Sequence, residues 1–348
     1  MNVVSQFNPN FETGISRQTY YILQYLEKIG QSVSLFTWEP EFRKPFYWHR
    51  WVVYPVMYLP LRAEAAPVFY YGEYWSMPVS EFDAVNLPVF WYAPLDSDRL
   101  PEDWWQSAAI PDVIVPFTEF AHDLLIGEVS KRFENNGPVV WNVIPHTVAV
   151  FDSDEREDWS NEQIHVGIVF RPQMRKNPCG LLAALRELRL PNLKIHIVSE
   201  DQFGEVNLPS LCATFGLDCD IRQGLSPLEM RKFYNSIDIY VSFSMGEGFD
   251  LGLAEALKCR KCVLVPDLFT AREFGVPEEH RVKCREFKLP TKSRWWVAEI
   301  DDFVEKFKSL MERDFPIVDA DMSRYEPNAV GPLWQDFFEN AEEVARCV

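Results

Sequence analysis

The sequence lacks any apolar run of the ~18 residues that a membrane-spanning helix requires. Its start, Met1-Asn2-Val3-Val4-Ser5, has neither a basic leader nor a cleavage-site pattern, so we expect a cytoplasmic protein without a transmembrane segment. Basic residues are few: 34 Lys and Arg face 52 Asp and Glu, a formal net charge of -18. This balance argues against a nucleic-acid partner and against general attraction to anionic lipid, but it leaves room for a local basic pocket.

Cysteines are also few and odd in number, with seven in 348 residues. Cys259 and Cys262 have the spacing of half a zinc site, but the sequence contains no matching second pair. We therefore interpret the cysteines as ordinary buried thiols and expect neither zinc nor redox chemistry from them.

The composition is that of a globular protein, with 47% hydrophobic and 25% charged residues. At about 150 residues per domain, the length predicts two domains. Short apolar strands alternate with helix-periodic segments from Val3 to Phe36, and the pattern restarts from Ile164 to Val198, which predicts two α/β units. An acidic, aperiodic segment that begins at Asp152 separates them. The predicted divisions are an N-terminal domain, a C-terminal domain and a last helix, at 1–152, 153–330 and 331–348.

The run Met245-Gly246-Glu247-Gly248-Phe249-Asp250-Leu251-Gly252-Leu253-Ala254-Glu255-Ala256 places two glutamates with seven residues between them. Its glycines predict a turn around Glu247, followed by a helix that begins near Asp250 or Leu251 and contains Glu255. Backbone N–H groups and the positive end of the dipole make a helix N-terminus favourable for phosphate. The sequence therefore predicts a phosphate site at this turn, and we expect neither glutamate to lie in a packed core.

A group of cations, Arg171-Pro172-Gln173-Met174-Arg175-Lys176, follows the predicted strand from Ile164 to Val169. Open parallel sheets bind ligands at the carboxyl ends of their strands. Arg171 and Lys176, five residues apart, can bracket a diphosphate opposite the glycine turn, with a bidentate fork and a point charge. Alone, such cations are more often simply solvated, but together with the glutamate run they indicate a diphosphate site.

In these motifs the chain resembles the GT-B-type retaining glycosyltransferases of family 4, which use nucleotide sugars. The resemblance covers most of the chain and is strongest from Val166 to Pro266. Its motifs are the pair Glu247 and Glu255, the cations Arg171 and Lys176, Val115-Pro116-Phe117-Thr118-Glu119-Phe120, and Val143-Ile144-Pro145-His146. It implies two Rossmann-like domains that face a central cleft. The N-terminal domain would bind the acceptor, the C-terminal one the nucleotide sugar, and a C-terminal helix would cross back to the N-terminal domain.

The resemblance also implies roles for individual residues. Glu247 would contact hydroxyls of the donor sugar, and Glu255 would contact the ribose. Arg171 and Lys176 would neutralise the leaving diphosphate. Gly14 matches the family's N-terminal glycine loop, although that loop usually has paired glycines and this one has a single Gly. Backbone amides would hold the phosphate oxygens, at Gly248, Phe249, Asp250 and Leu251.

Two departures from the family concern positions where it commonly has glycine. A carboxylate at Asp250 would repel a diphosphate, so we expect this side chain to turn away and cap the helix. Arg260 stands after the same helix, and we expect it to adopt a positive φ.

Asp96-Ser97-Asp98 could chelate a metal, as paired aspartates do in the other major glycosyltransferase fold. In so acidic a chain such a triplet arises easily by chance, and we expect no metal site and no cofactor beyond the nucleotide-sugar donor. Asp96 follows the strand Val89 to Tyr92, and two interpretations remain open for it: a contact to the acceptor, or an ordinary loop or capping residue. For His146 a structural role is favoured over a catalytic one.

The predicted function is metal-independent, retaining transfer of a hexosyl group from a UDP- or GDP-sugar to an acceptor glycan, lipid or protein. Two alternatives are a non-catalytic nucleotide-sugar-binding protein and a GT-B nucleotide-sugar epimerase. The sequence leaves the acceptor, the donor's base and sugar, and the oligomeric state open.

Overall fold

The structure is a computed structural model that describes residues 1–7, 14–38, 42–63, 65–133, 137–148, 154–160, 162–199, 205–290 and 294–347. The chain forms two compact units: Met1–Thr147 together with Tyr325–Val348, and Val148–Arg324. The predicted boundary at Asp152 and Ser153 lies outside the described residues. Within the described part of the chain, no helix is both long and apolar enough to cross a membrane.

The first unit is built on an eight-stranded sheet in the order β3-β4-β2-β1-β5-β6-β7-β8. Every neighbouring pair is parallel except β3 and β4, which form an antiparallel hairpin. Its strands are β1 Asn2–Ser5, β2 Ser34–Thr37, β3 Phe46–Trp48, β4 Trp51–Pro55, β5 Val68–Tyr71, β6 Val89–Ala93, β7 Val113–Pro116 and β8 Val139–Val140. Its first helices are α1 Gly14–Lys28, α2 Leu59–Arg62, α3 Val79–Val85, α4 Glu102–Ala108 and α5 Glu119–Phe133.

The end of α1 illustrates how local sequence sets these elements. Gly30 has φ 77°, and its N–H donates to the Glu27 carbonyl at 2.9 Å, while the Gln31 N–H donates to the Leu26 carbonyl at 2.9 Å. A residue without Cβ adopts this left-handed conformation at no steric cost, so the helix stops and the chain enters β2.

The second unit contains a six-stranded parallel sheet in the order β11-β10-β9-β12-β13-β14 and a separate antiparallel hairpin of β15 and β16. Its strands are β9 Ile164–Val169, β10 Leu193–Val198, β11 Cys219–Arg222, β12 Ile239–Val241, β13 Cys262–Pro266, β14 Arg281–Val282, β15 Cys284–Lys288 and β16 Arg294–Ala298. Its helices are α6 Pro178–Glu187, α7 Leu208–Phe215, α8 Pro227–Ser236, α9 Leu251–Lys258, α10 Phe269–Glu273 and α11 Ile300–Glu312.

The strand order of this second sheet reverses between β9 and β12. After β9 the chain adds β10 and β11 on one side, and after β12 it adds β13 and β14 on the other. The connections that leave β9 and β12 therefore lead to strands on opposite sides of this point, which is the switch point of the sheet. Open α/β sheets bind ligands at such a switch point.

The C-terminal helix, α12 Pro327–Cys347, belongs to the first unit. Trp334 meets Phe69 of β5 edge-on at 5.4 Å between ring centroids, and Phe337 meets Phe90 of β6 in the same way at 5.4 Å. All four rings are buried, so α12 packs against the N-terminal sheet through a layer of aromatic side chains. The predicted α/β architecture, with a last helix that returns to the first unit, is confirmed.

Candidate functional site

Two connections meet at the switch point of the second sheet. The one after β9 contains a short 3-10 helix, Met174–Lys176, and continues into α6. The one after β12 contains Glu247 and enters α9 at Leu251. The Met245 N–H donates to the Arg175 carbonyl at 2.8 Å, and the Trp296 N–H of β16 donates to the Met245 carbonyl at 2.8 Å. Backbone bonds therefore hold the two connections and the hairpin together.

Glu247 is the centre of this site and is 5% exposed. Its carboxylate receives Lys176 Nζ in a very short ion pair and lies 3.3 Å from Arg175 Nη1. Burial by itself would raise the pKa of this carboxyl, but the charges of Lys176 and Arg175, with hydrogen bonds from Lys176 and Ser244, bring it to about 2. Glu247 is therefore an ionised carboxylate at neutral pH, held between two cations.

The arginine beside Glu247 is Arg175, which sequence reasoning did not single out. Arg175 Nη1 also donates to the Gly246 carbonyl, so its guanidinium spans the start of the glutamate turn. Arg171, the predicted partner of Lys176, is exposed. The sequence signal that could have identified Arg175 was its position next to Lys176. A single 3-10 turn carries both cations towards the β12 connection.

Asp250 caps α9, as predicted. The Leu253 N–H donates to Asp250 Oδ1 at 3.2 Å, and Asp250 itself has the left-handed φ of 58°. Burial, followed by the nearby charge of Glu247, raises the pKa of this carboxyl to about 7. At the other end of α9, Arg260 has φ 55°, which confirms the second expected departure from glycine.

Glu255 lies inside α9 and is 4% exposed. The Tyr234 hydroxyl of α8 donates to Glu255 Oε2 at 3.0 Å. The expectation that neither glutamate lies in a packed core is therefore wrong. Both are buried because each carboxylate has polar partners there, the cations for Glu247 and a tyrosine hydroxyl for Glu255.

Gly252 is a helical residue, because α9 begins at Leu251 as predicted. A Cβ at this position would lie 2.6 Å from the Tyr240 hydroxyl oxygen of β12. Burial, and then the charges of Asp250, Glu247 and Glu255, raise the pKa of Tyr240 well above its usual value. The glycine thus lets α9 pack closely against β12, where a Cβ would meet the Tyr240 hydroxyl.

The remaining predicted residues are distributed as follows. Gly248 and Phe249 are buried in the turn before α9, and Leu251 is the first residue of that helix. Gly14 is the first residue of α1 in the other unit, and most of the loop before it, 8–13, lies outside the described residues.

Asp96 is half-buried after β6, in the first unit. Burial, followed by the charges of Glu73 and Asp96, raises the pKa of Tyr71 well above its usual value, so two carboxylates lie near this phenol. Glu73 was not singled out from the sequence. His146 is buried beside the same tyrosine, with Nε2 3.2 Å from the Tyr71 hydroxyl. Burial lowers the pKa of His146 to about 3, so it is a neutral residue of the interior.

Among the described residues, no three or more His, Cys, Asp or Glu side chains are grouped as ligands of a metal ion. In the triplet from Asp96 to Asp98, the Arg99 N–H donates to Ser97 Oγ at 3.2 Å, which forms a local turn. Cys259 and Cys262 are both buried thiols, as predicted.

Comparison with known proteins establishes the fold. No family model matches the chain, and no curated protein sequence matches it. The solved structure of the lipopolysaccharide outer core galactosyltransferase WaaB is similar, with a TM-score of 0.61 and 12% identity over 98% of this chain and 99% of that one. A UDP-forming α,α-trehalose-phosphate synthase from Burkholderia xenovorans gives 0.68 and 11% over 98% of both chains. Sucrose-phosphate synthase from Thermosynechococcus elongatus gives 0.66 and 12% over 99% and 96%. The chain therefore has the GT-B fold.

Proposed function

We infer that this GT-B protein is a retaining glycosyltransferase that moves a hexosyl group from a nucleoside diphosphate sugar to an acceptor. The observation that carries the proposal is the buried carboxylate of Glu247, held by Lys176 and Arg175 at the switch point of the second sheet. A purely structural ion pair would be no more stable at this position than elsewhere in the fold. Open α/β sheets, by contrast, bind their ligands at this position. UDP is the first diphosphate to test, because one of the similar enzymes is named as UDP-forming.

The cations would act on the leaving group. Transfer breaks the bond between the anomeric carbon and the diphosphate oxygen and forms one to an acceptor hydroxyl oxygen, and the hydroxyl proton ends on the departing diphosphate. Negative charge grows on the diphosphate as the bond breaks. Lys176 and Arg175 are already fixed by Glu247 and the Gly246 carbonyl, so they can stabilise that charge without reorganising. No metal ion is required in this scheme.

The two glutamates would contact different parts of the donor. Ionised Glu247 can only accept hydrogen bonds, which suits the hydroxyls of a sugar whose ring gains positive charge in the transition state. Glu255 lies further along the chain, inside α9, and accepts a hydrogen bond from the Tyr234 hydroxyl. This position suits a contact with the ribose hydroxyls, which are remote from the reaction. In the first unit, Asp96 with Glu73 would accept hydrogen bonds from acceptor hydroxyls.

The test begins with the unmodified protein and UDP-, GDP- and ADP-glucose. A ligand that binds only the folded state should raise the melting temperature. The donor that does so should then be consumed with release of its nucleoside diphosphate, and NMR should show the same anomeric configuration in donor and product. Binding without consumption in the presence of a broad acceptor mixture would favour the non-catalytic alternative. Appearance of an epimer with donor alone would favour the epimerase.

A pair of matched variants tests the assignment of the cations. Arg175→Ala should weaken binding of the nucleoside diphosphate by about 2 kcal/mol, the scale of a lost charge-assisted hydrogen bond. Arg171→Ala removes the same charge from an exposed position in the same segment, and its effect should be the smaller of the two. Calorimetry with equal losses, or with the larger loss at Arg171, would return the phosphate contact to the residue predicted from sequence.

A further inference from the structure

The first sheet has a switch point of its own, between β1 and β5. These two strands are neighbours, and the chain continues from β1 to β2 on one side and from β5 to β6 on the other. Open α/β sheets bind ligands at the carboxyl ends of the strands that flank such a point. The connection after β5, residues 72–77, lies at this edge of the sheet, as does Gln6, which follows β1. A second ligand position is therefore expected here, within the first unit.

The 72–77 connection is held by side chains from other parts of the first unit. Gln6 Oε1 accepts the Glu73 N–H at 3.1 Å, and the Tyr70 hydroxyl of β5 donates to the Glu73 carbonyl at 2.8 Å. Trp91 Nε1 of β6 donates to the Gly72 carbonyl at 3.0 Å. The backbone of this connection is therefore fixed before a ligand arrives, so binding there costs little conformational entropy.

The fixed connection presents an exposed tryptophan. Trp75 lies in its 3-10 helix, Tyr74–Ser76, and is 65% exposed, although tryptophan is one of the residues that folding usually buries for the most part. The Tyr74 ring meets the Trp75 ring edge-on, with 4.9 Å between the centroids. One neighbouring ring thus packs against the indole while most of the indole surface stays in contact with solvent.

An indole and a carboxylate on one rigid connection suit a sugar ring. The C–H bonds on one side of a pyranose form an apolar surface that can pack on the electron-rich face of an indole. The hydroxyl groups of the same ring can donate to a carboxylate, and Glu73 carries one, two residues before Trp75. A phosphate or an anionic lipid head group would be repelled by that carboxylate, and a bare hydrocarbon chain could not use it.

We propose, on the basis of the function inferred above, that the acceptor is a glycan whose pyranose ring stacks on Trp75 at the switch point of the first sheet. Trp75 is then a binding residue for the acceptor and takes no part in binding the donor. An acceptor peptide or lipid without a sugar ring would lack this contact.

The experiment uses the nucleotide-glucose that the unmodified protein consumes, with p-nitrophenyl glycosides of glucose, galactose and N-acetylglucosamine as acceptors. Trp75→Ala should raise the KM for the glycoside about tenfold, the scale of one lost aromatic contact, and change kcat by less than about twofold. Donor affinity measured by calorimetry should not change. Trp75→Tyr keeps an aromatic face and should recover most of the loss. The matched control is Tyr47→Ala, which removes a 79% exposed aromatic ring from β3 of the same sheet. Because both rings are exposed, both alanine variants should keep the melting temperature of the unmodified protein.

The outcomes separate the inference from its premise. A rise in glycoside KM in Trp75→Ala that Trp75→Tyr reverses and Tyr47→Ala does not share supports the role of Trp75. An unchanged KM in Trp75→Ala, or an equal rise in Tyr47→Ala, overturns the assignment of this residue. Transfer to a serine-containing peptide or a long-chain alcohol, with none to any glycoside, overturns the glycan class and leaves the transferase proposal standing. Failure of every nucleotide sugar to bind overturns the proposed function, and the inference with it.

Discussion

The ion pair between Lys176 and Glu247 can be tested by a double-mutant cycle. Lys176→Met removes the ammonium but keeps a side chain of similar length, and it leaves Glu247 buried with Arg175 as its remaining cation. Glu247→Gln removes the negative charge from the same site. The double variant carries both changes, so the cycle isolates the interaction between the two side chains.

The expected magnitude comes from the pKa of Glu247. Its fall from the usual 4.5 to about 2 corresponds, at about 1.4 kcal/mol per pH unit, to about 3 kcal/mol of stabilisation at neutral pH. The charge of Lys176 is the strongest of the lowering influences, ahead of that of Arg175. We therefore expect a coupling energy of about 2 kcal/mol, with Lys176→Met the more damaging single change, because it leaves a buried charge with one cation fewer.

The assay is urea unfolding at pH 7 followed by tryptophan fluorescence, with one transition fitted for each unit if the curve requires it. Arg171→Met, at an exposed position in the same segment, is the control and should change stability little. Because the pKa of Glu247 is lowered by folding, the stabilisation is fully present above pH 4.5 and should be lost as the pH falls towards about 2. Single changes that add within about 0.5 kcal/mol at pH 7 would refute the pairing.

Three further predictions concern the proposed reaction and the packing beneath it. Glu255→Gln should chiefly raise KM and weaken binding of the free nucleoside diphosphate, whereas Glu247→Gln should lower kcat by roughly a hundredfold and leave that binding nearly intact. Steady-state kinetics and calorimetry measure these quantities, and the reverse pattern would exchange the roles of the two glutamates. Gly252→Ala should destabilise the protein by about 1–3 kcal/mol, because its Cβ would lie 2.6 Å from the hydroxyl oxygen of buried Tyr240, and an unchanged melting temperature would contradict this. Turnover should survive excess EDTA, and activity that is lost with EDTA and restored by Mn²⁺ would show that a metal takes part.

The features that sequence alone determined are those decided by neighbouring residues. The end of α1 at Gly30, the start of α9 at Leu251 and the capping side chain of Asp250 each depend on contacts within about five positions along the chain. The alternation of strands and helices follows from hydrophobic periodicity, which is also a local property. For this reason the α/β class, the two-unit organisation and the position of the glutamate turn are predictable from the order of the residues.

The inner arrangement of the site was decided by tertiary structure. Sequence reasoning placed Arg171 and Lys176 at the diphosphate and did not single out Arg175. The contact of Arg175 with Glu247 depends on how a 3-10 turn after β9 meets a connection that is about 70 residues away along the chain. Burial of both glutamates follows from partners on other elements, such as Tyr234 on α8 for Glu255. Glycine is needed at position 252 because α9 packs closely against β12, so that a Cβ there would meet the Tyr240 hydroxyl. These are contacts between segments distant in sequence, and they exist only once the strand order has placed β9 beside β12.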